Sequence, residues 1–182
     1  SLKKSEIIHK TFIEIDESLV KTTDILKIRT EDAYRDIANK AAESQEYEAL
    51  NKVAQDVERR TNKLVSNINR LKLMIVNTST GAGYTDLSEV DFRAGLKLDD
   101  KYAAGTVMIP EVGVRMGDSL RLWMNEYEDF VIGLIKEEDH GSALYEGLRG
   151  ALGTPDDTES EMPTTWQQKI ARGMPMIGTI SL

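Results

Sequence analysis

The sequence predicts an all-α protein, an elongated helical bundle built on a long antiparallel αα-hairpin with shorter helices added. Three features predict it. Leu50, Ala54, Val57, Thr61, Leu64, Ile68, Leu71 and Ile75 recur at alternating steps of four and three, which keeps one side of an α-helix apolar. No proline or glycine interrupts residues 46–76, and a helix of that length spans roughly 46 Å. A seam so narrow does not hold a helix alone, so partners of similar length are required. A second periodic stretch lies just upstream across a short break, and short connections join antiparallel neighbours.

Residues 3–42 read as the first helix. Ile8, Phe12, Ile15, Leu19, Thr22 and Leu26 carry the same spacing, and Ala33, Ile37 and Ala41 continue it with smaller side chains. Thin positions let a partner helix approach closely or mark where a bundle loosens. The break falls near Glu43–Glu46. The second helix turns Glu48, Lys52, Gln55, Asp56, Glu58, Arg59, Arg60, Lys63 and Lys72 to solvent. It should stop within residues 77–83, where Asn-Thr-Ser-Thr precedes Gly81-Ala82-Gly83. Residues 84–117 show no helical period and contain Gly95, Gly105, Pro110, Gly113 and Gly117. Thr106-Val107-Met108-Ile109 reads as a short extended piece. So long a connection is expected to be functional or mobile, with few apolar anchors.

Asp118 or Ser119 is expected to cap a third helix that buries Leu120, Met124, Tyr127, Val131 and Leu134, with Trp123 and Phe130 flanking. It frays into residues 137–141. Ser142 should cap a short helix holding Leu144, Tyr145 and Leu148, closed by Gly150 or Gly153. Residues 155–163 form an acidic loop. Thr164 and Gln167 have capping-box spacing at the start of the last helix. Pro175 interrupts or restarts that helix.

Apolar content of 40% over 182 residues suits one moderate domain spanning residues 1–182, with a core of mostly aliphatic side chains. Net charge is −8, and the only adjacent basic pairs are Lys3-Lys4 and Arg59-Arg60. That balance argues against nucleic acid as a partner. Lack of cysteine excludes disulfides and thiolate metal sites. No apolar run approaches the roughly 20 residues that span a bilayer. A chain that opens on Ser1 and stops within an apolar run is expected to be a segment of a longer protein.

Signs of catalysis are weak. His9 and His140 have no His, Cys or carboxylate at a diagnostic metal spacing. Gly81-Ala82-Gly83 lacks the Gly-Lys-Ser/Thr of a phosphate loop and follows a helix where a dinucleotide site needs a strand. Residues 156–161, Asp-Asp-Thr-Glu-Ser-Glu, lack the order of a calcium loop and read as a solvated linker. No Gly-x-Ser-x-Gly elbow is present. No enzyme, metal or cofactor is expected. The remaining candidates are apolar groups near the last helix: Trp166 beside its cap, and Met174, Pro175 and Met176 around a kink. They either seal the bundle end or contact a neighbouring domain, a second copy or a partner.

The stretch from Trp166 to Leu182, WQQKIARGMPMIGTISL, resembles the GldM/PorM family of gliding motility and type IX secretion in Bacteroidetes. It is similar to that family's Trp, short helix, Met/Val-Pro-Leu and Ala-x-Ile-Thr-Leu-Leu, with Gly178 where alanine is usual. Upstream, Ile15–Thr22 resembles the segment after the family's membrane helix. Val65–Lys72 resembles the end of its helix two. Val107-Met108-Ile109-Pro110, with Gly113 and Gly117, resembles its loop before helix three. The resemblance covers nearly the whole chain.

It implies a first periplasmic domain, anchored to the inner membrane through a helix preceding it, in a homodimer. It also implies a membrane partner of the GldL/PorL type, use of the proton gradient, and outer-membrane ring partners of the GldK/PorK and GldN/PorN types. Two other classes compete: a helical sensor or adaptor ectodomain, which should aim arginines into a polar pocket, and a helical enzyme. Arg29, Arg35, Arg59 and Arg70 are spread over polar faces in the pattern.

Overall fold

A computed structural model describes residues 25, 27–91, 100, 102–159 and 161–173. The described residues form α1 (27–41), α2 (Gln45–Thr80), α3 (Ala103–Met108), α4 (Met116–Ile132), α5 (Ala143–Leu152) and α6 (Trp166–Gly173). Single 3-10 turns lie at Leu87–Glu89 and Glu137–Asp139. The fold is all-α. The described residues hold no strand, only an isolated antiparallel bridge between Asp157 and Thr164. The described residues divide into two compact units, those up to Arg59 and those from Arg60 onward.

In the first unit, α1 and residues 45–59 of α2 are separated by residues 42–44. The break sits where it was expected. Ser44 Oγ accepts from the Glu46 N–H at 3.3 Å, and Glu46 and Glu48 place negative charge in the first turn of α2. Glu31, Tyr34, Arg35 and Ala38 of α1 line one open groove together with Asn51, Ala54, Gln55 and Glu58 of α2. That juxtaposition is compatible with the expected hairpin. Ala54 is buried, but Leu50, expected on the buried seam, is 48% exposed. Ion pairs Arg35–Asp32, Lys52–Glu48 and Arg59–Asp56 lie along the solvent faces and contribute little each.

The second unit holds the larger core. Leu64, Leu71, Ile75 and Val76 of α2 are buried, as are Ala103, Ala104, Val107 and Met108 of α3, together with Val90 and Ala171. Val57, Thr61 and Ile68 on the expected seam are half-buried. Ile75, Val76 and Met108 are completely enclosed. Helix α3 contacts α4 and α6, and α4 contacts α5 and α6.

Residues 103–108 correct the expected extended piece and the expectation of an anchorless loop. Ala103, Ala104, Val107 and Met108 fall on one side of a helix at i, i+1, i+4 and i+5, so the period was present over little more than one turn. Gly105 and Thr106 between them lower helix propensity and hid it. Burial against α4 and α6 outweighs that propensity. Asp100 supplies a start: its Oδ1 accepts from the N–H groups of Tyr102 at 2.8 Å and Ala103 at 3.1 Å. Its Oδ2 accepts from Ser79 Oγ at 2.8 Å, which ties the end of α2 to the start of α3.

Helix α2 runs through Asn77-Thr78-Ser79-Thr80 before stopping. Thr78 and Thr80 donate their hydroxyls to the carbonyls of Met74 and Val76, both at 2.8 Å. Gly81 then takes φ +70°, the left-handed stop that glycine allows. Asn77 grips the departing chain, donating Nδ2 to the Tyr84 carbonyl at 2.9 Å and accepting the Tyr84 N–H at 3.0 Å.

Helix α4 begins at Met116, two residues before the expected cap. Arg115 is the N-cap residue, so Asp118 falls inside the first turn, where negative charge suits the helix dipole, and its carboxylate accepts from Gln167 and pairs with Arg115. Leu134 lies past the end of α4 and is 45% exposed, not buried. Ser142 caps α5 as expected, accepting from the Tyr145 N–H at 3.2 Å. The helix closes at Gly153, with Gly150 inside it.

Candidate functional site

Several polar contacts between distant parts of the chain gather where α6 docks on α4. Helix α6 starts with a reciprocal box. The Gln168 N–H donates to Thr165 Oγ1 at 3.2 Å, and the Thr165 N–H donates to Gln168 Oε1 at 3.0 Å. This corrects the expected box, which paired Thr164 with Gln167. Thr164 is instead held by its backbone, exchanging hydrogen bonds of 2.9 and 3.0 Å with Asp157.

Gln167 is freed from capping and lies buried against α4. Its Nε2 donates to Asp118 Oδ1 at 2.9 Å, and its Oε1 accepts from Arg121 Nη1 at 3.4 Å. The same guanidinium nitrogen reaches both oxygens of Asp156, at 3.0 and 3.2 Å. Asp156 Oδ1 also accepts the Trp166 N–H at 2.8 Å. The residues expected to be solvated linker thus include the one carboxylate that fastens α6 at its first residue. The Trp166 N–H, and then the Arg121 guanidinium, hold the Asp156 carboxyl below its ordinary range. Gly117 makes the approach possible. A Cβ there would lie 2.8 Å from the Met108 carbonyl oxygen and 3.1 Å from Gln167 Cβ and Cγ.

Trp166 is half-buried, with its backbone in this network and its side chain lining a cleft with Leu71, Ile75, Met108 and Met124. Met174, Pro175 and Met176 lie outside the described residues. His140 is exposed and stacks on the Tyr145 ring at 4.6 Å; His9 is outside the described residues. No group of three metal-ligating side chains occurs among the described residues. No described helix is long and apolar enough to cross a membrane.

At the other end of α4, Tyr127 and Thr61 share a hydroxyl hydrogen bond of 2.6 Å, and the Arg60 guanidinium stands 4.2 Å from the centre of the Phe130 ring. Arg121, Asp156 and Gln167 escaped the sequence reading because they meet only across 35 to 46 residues of chain. One local cue existed for Gln167: it shares a helical face with Ala171, four residues on, which is completely buried.

What this arrangement offers is mechanical: a helix locked to its neighbour by side chains that satisfy one another. Its groups form no nucleophile and base pair. Among curated proteins, none matches the chain. A family model described as the GldM N-terminal domain matches residues 6–182. Its family is a structural component of the gliding-motility and type IX secretion machinery and is not a known enzyme family. Residues 6–182 cover almost all of this sequence, and the chain belongs to the family of GldM N-terminal domains.

Proposed function

We propose that the chain is the first periplasmic shaft domain of a proton-driven inner-membrane motor that powers type IX protein secretion, gliding motility or both. In this reading the full-length protein is a homodimer anchored in the inner membrane. Its membrane helices work with a partner of the GldL/PorL type. The periplasmic part carries motion towards outer-membrane ring proteins of the GldK/PorK and GldN/PorN types. The family match over residues 6–182 carries the proposal. Two physical features support it. Helix α2 runs 36 residues without a break, about 54 Å at 1.5 Å per residue. The contacts of α6 with α4 are made by side chains that satisfy one another, and the Asp156 carboxylate between α5 and α6 ties Arg121 of α4 to the first residue of α6. A part that transmits force needs both continuity and locked junctions. The sensor alternative wants converging arginines, whereas among the described residues Arg35 and Arg70 are each the one arginine lining their groove.

The test softens the helix without touching its buried side. Lys63 and Ser66 are exposed on α2, and glycine at each lowers helix stability by about 1 kcal/mol. The full-length double variant is expressed at wild-type level in a gliding or secreting species. Cargo export and cell speed are expected to fall, while purified protein keeps its fold and shows faster amide exchange around residues 60–70. Normal export and speed in cells whose protein shows that faster exchange would overturn the shaft reading.

A further inference from the structure

Among the described residues, the core is left partly uncovered on one side of the second unit. A cleft of about 410 Å³ opens among α2, α3, α4, α5 and α6. Ile68, Leu120, Met124, Trp166 and Ile170 stand half-exposed around it. The charged residues of its lining are Lys72, which already has an interaction partner, and Lys169. That lining does not call for a charged occupant, and a charge brought against its aliphatic walls would lose hydration without a return. The α5 wall is low. Gly150 and Ala151 line it, and nothing lies within 4 Å of where a Cβ on Gly150 would stand. A polypeptide segment has room to come close there.

The chain itself supplies such a segment. Gly173 is followed by MPMIGTISL, residues 174–182, which carries no charged side chain in a chain that is 30% charged. Met174, Pro175, Met176, Ile177, Ile180 and Leu182 are apolar. Left in water, they add a cost of the same kind as the open cleft, and covering one with the other removes both. The reach is sufficient. The eight residues Trp166–Gly173 make about 12 Å of helix at 1.5 Å per residue, and nine residues span up to about 30 Å when extended. A tethered segment also outcompetes a separate molecule of similar surface, because a short tether gives it an effective concentration on the order of millimolar.

We propose that residues 174–182 fold back over the cleft and seal it, with Met176, Ile177 and Ile180 supplying the side chains that fill it. Pro175, which has no backbone donor and disfavours helix at the residue before it, supplies the change of direction. Met174, Pro175 and Met176 are then part of the bundle closure and not a surface for a neighbouring domain, a second copy or a partner. The proposal does not rest on the motor reading.

The 182-residue chain has no cysteine, so Thr179→Cys and Ser181→Cys, made in separate chains, each give one labelling site and leave the apolar residues in place. Bimane attached at these positions is quenched by tryptophan on contact. Quenching is expected at one position or both, lost in Trp166→Phe and kept in Trp123→Phe. It should persist when labelled chain is diluted into an excess of unlabelled chain. Ile177→Asp combined with Ile180→Asp should abolish the quenching and raise the fluorescence of a dye that binds exposed apolar surface, while helical circular dichroism is retained. Should that pair unfold the chain, the Trp166→Phe comparison decides alone. The proposal is overturned if Trp166→Phe leaves bimane emission unchanged at both positions, or if the folded aspartate pair binds no more dye than wild type. Quenching that fades on dilution into unlabelled chain also overturns it, because a second copy would then be what covers the cleft.

Discussion

Gly117→Ala and Gly147→Ala are the same substitution inside α-helices, and the structure predicts opposite signs for them. At an open helical site, replacing glycine by alanine stabilises by about 0.5–1 kcal/mol, because alanine loses less backbone freedom on folding. Gly147, in the middle of α5, is such a site: nothing lies within 4 Å of where its Cβ would stand. Gly117 is the second residue of α4, so its propensity gain is at most the same. Against it stands a new Cβ 2.8 Å from the Met108 carbonyl oxygen and 3.1 Å from two carbons of Gln167. The carbonyl belongs to the end of α3, and Met108 is completely enclosed. Gln167 is buried and held by Asp118 and Arg121. Neither neighbour can swing away as a flexible side-chain end would. Overpacking of this kind costs about 1–3 kcal/mol, so the net effect should be a loss of about 1–2 kcal/mol. Urea midpoints followed by far-ultraviolet circular dichroism give both values. The clash should also weaken α6, so its amides should exchange faster in the Gly117 variant and unchanged in the Gly147 variant. A Gly117→Ala chain as stable as wild type would refute the close approach of α3, α4 and α6 on which this reasoning depends.

Other outcomes follow from the same packing. Ile75→Ala should cost about 2–5 kcal/mol in the urea midpoint, because the side chain is completely enclosed; Leu50→Ala should stay within about 0.5 kcal/mol, since Leu50 is 48% exposed. Thr165→Ala should lower stability by about 1 kcal/mol and Thr164→Ala by less, since Thr165 caps α6 with its hydroxyl and Thr164 contributes only backbone bonds. Asp156→Asn should destabilise most at neutral pH. The folded-state pKa of Asp156 is depressed below 3.8, so its contribution is present above that value and is lost as pH falls through the lower folded value. The gap between wild type and variant in a series of melts should therefore be flat above about pH 5 and close on acidification.

Much of the fold was legible because helix periodicity is written locally. The seam on α2, the break near Ser44, the glycine stop after Thr80 and the Ser142 cap each depend on residues within a turn or two of one another. Backbone sterics and side-chain spacing act over that range, so a single stretch of sequence carries them. Local signals failed where a neighbour outweighed them. Residues 103–108 are helical because α4 and α6 cover them, although glycine and threonine in the middle disfavour it. The capping box moved by one residue because Thr164 was already engaged across the chain by Asp157. Leu50 stands 48% exposed although it lies on the apolar seam, since periodicity selects a face and only a neighbour in space can cover it.

The lock of α6 on α4 was invisible for a related reason. Asp118, Arg121, Asp156 and Gln167 are ordinary polar residues when read one at a time, and dozens of such residues lie along the chain. Only chain folding brings these four within hydrogen-bond distance, and only a glycine at 117 leaves room for it. By itself the sequence determined the helical class, the long seam and the family. Tertiary structure decided which of those helical faces are buried and where α6 is fastened. Periodicity is a property of neighbours along the chain, whereas burial and charge pairing belong to neighbours in space.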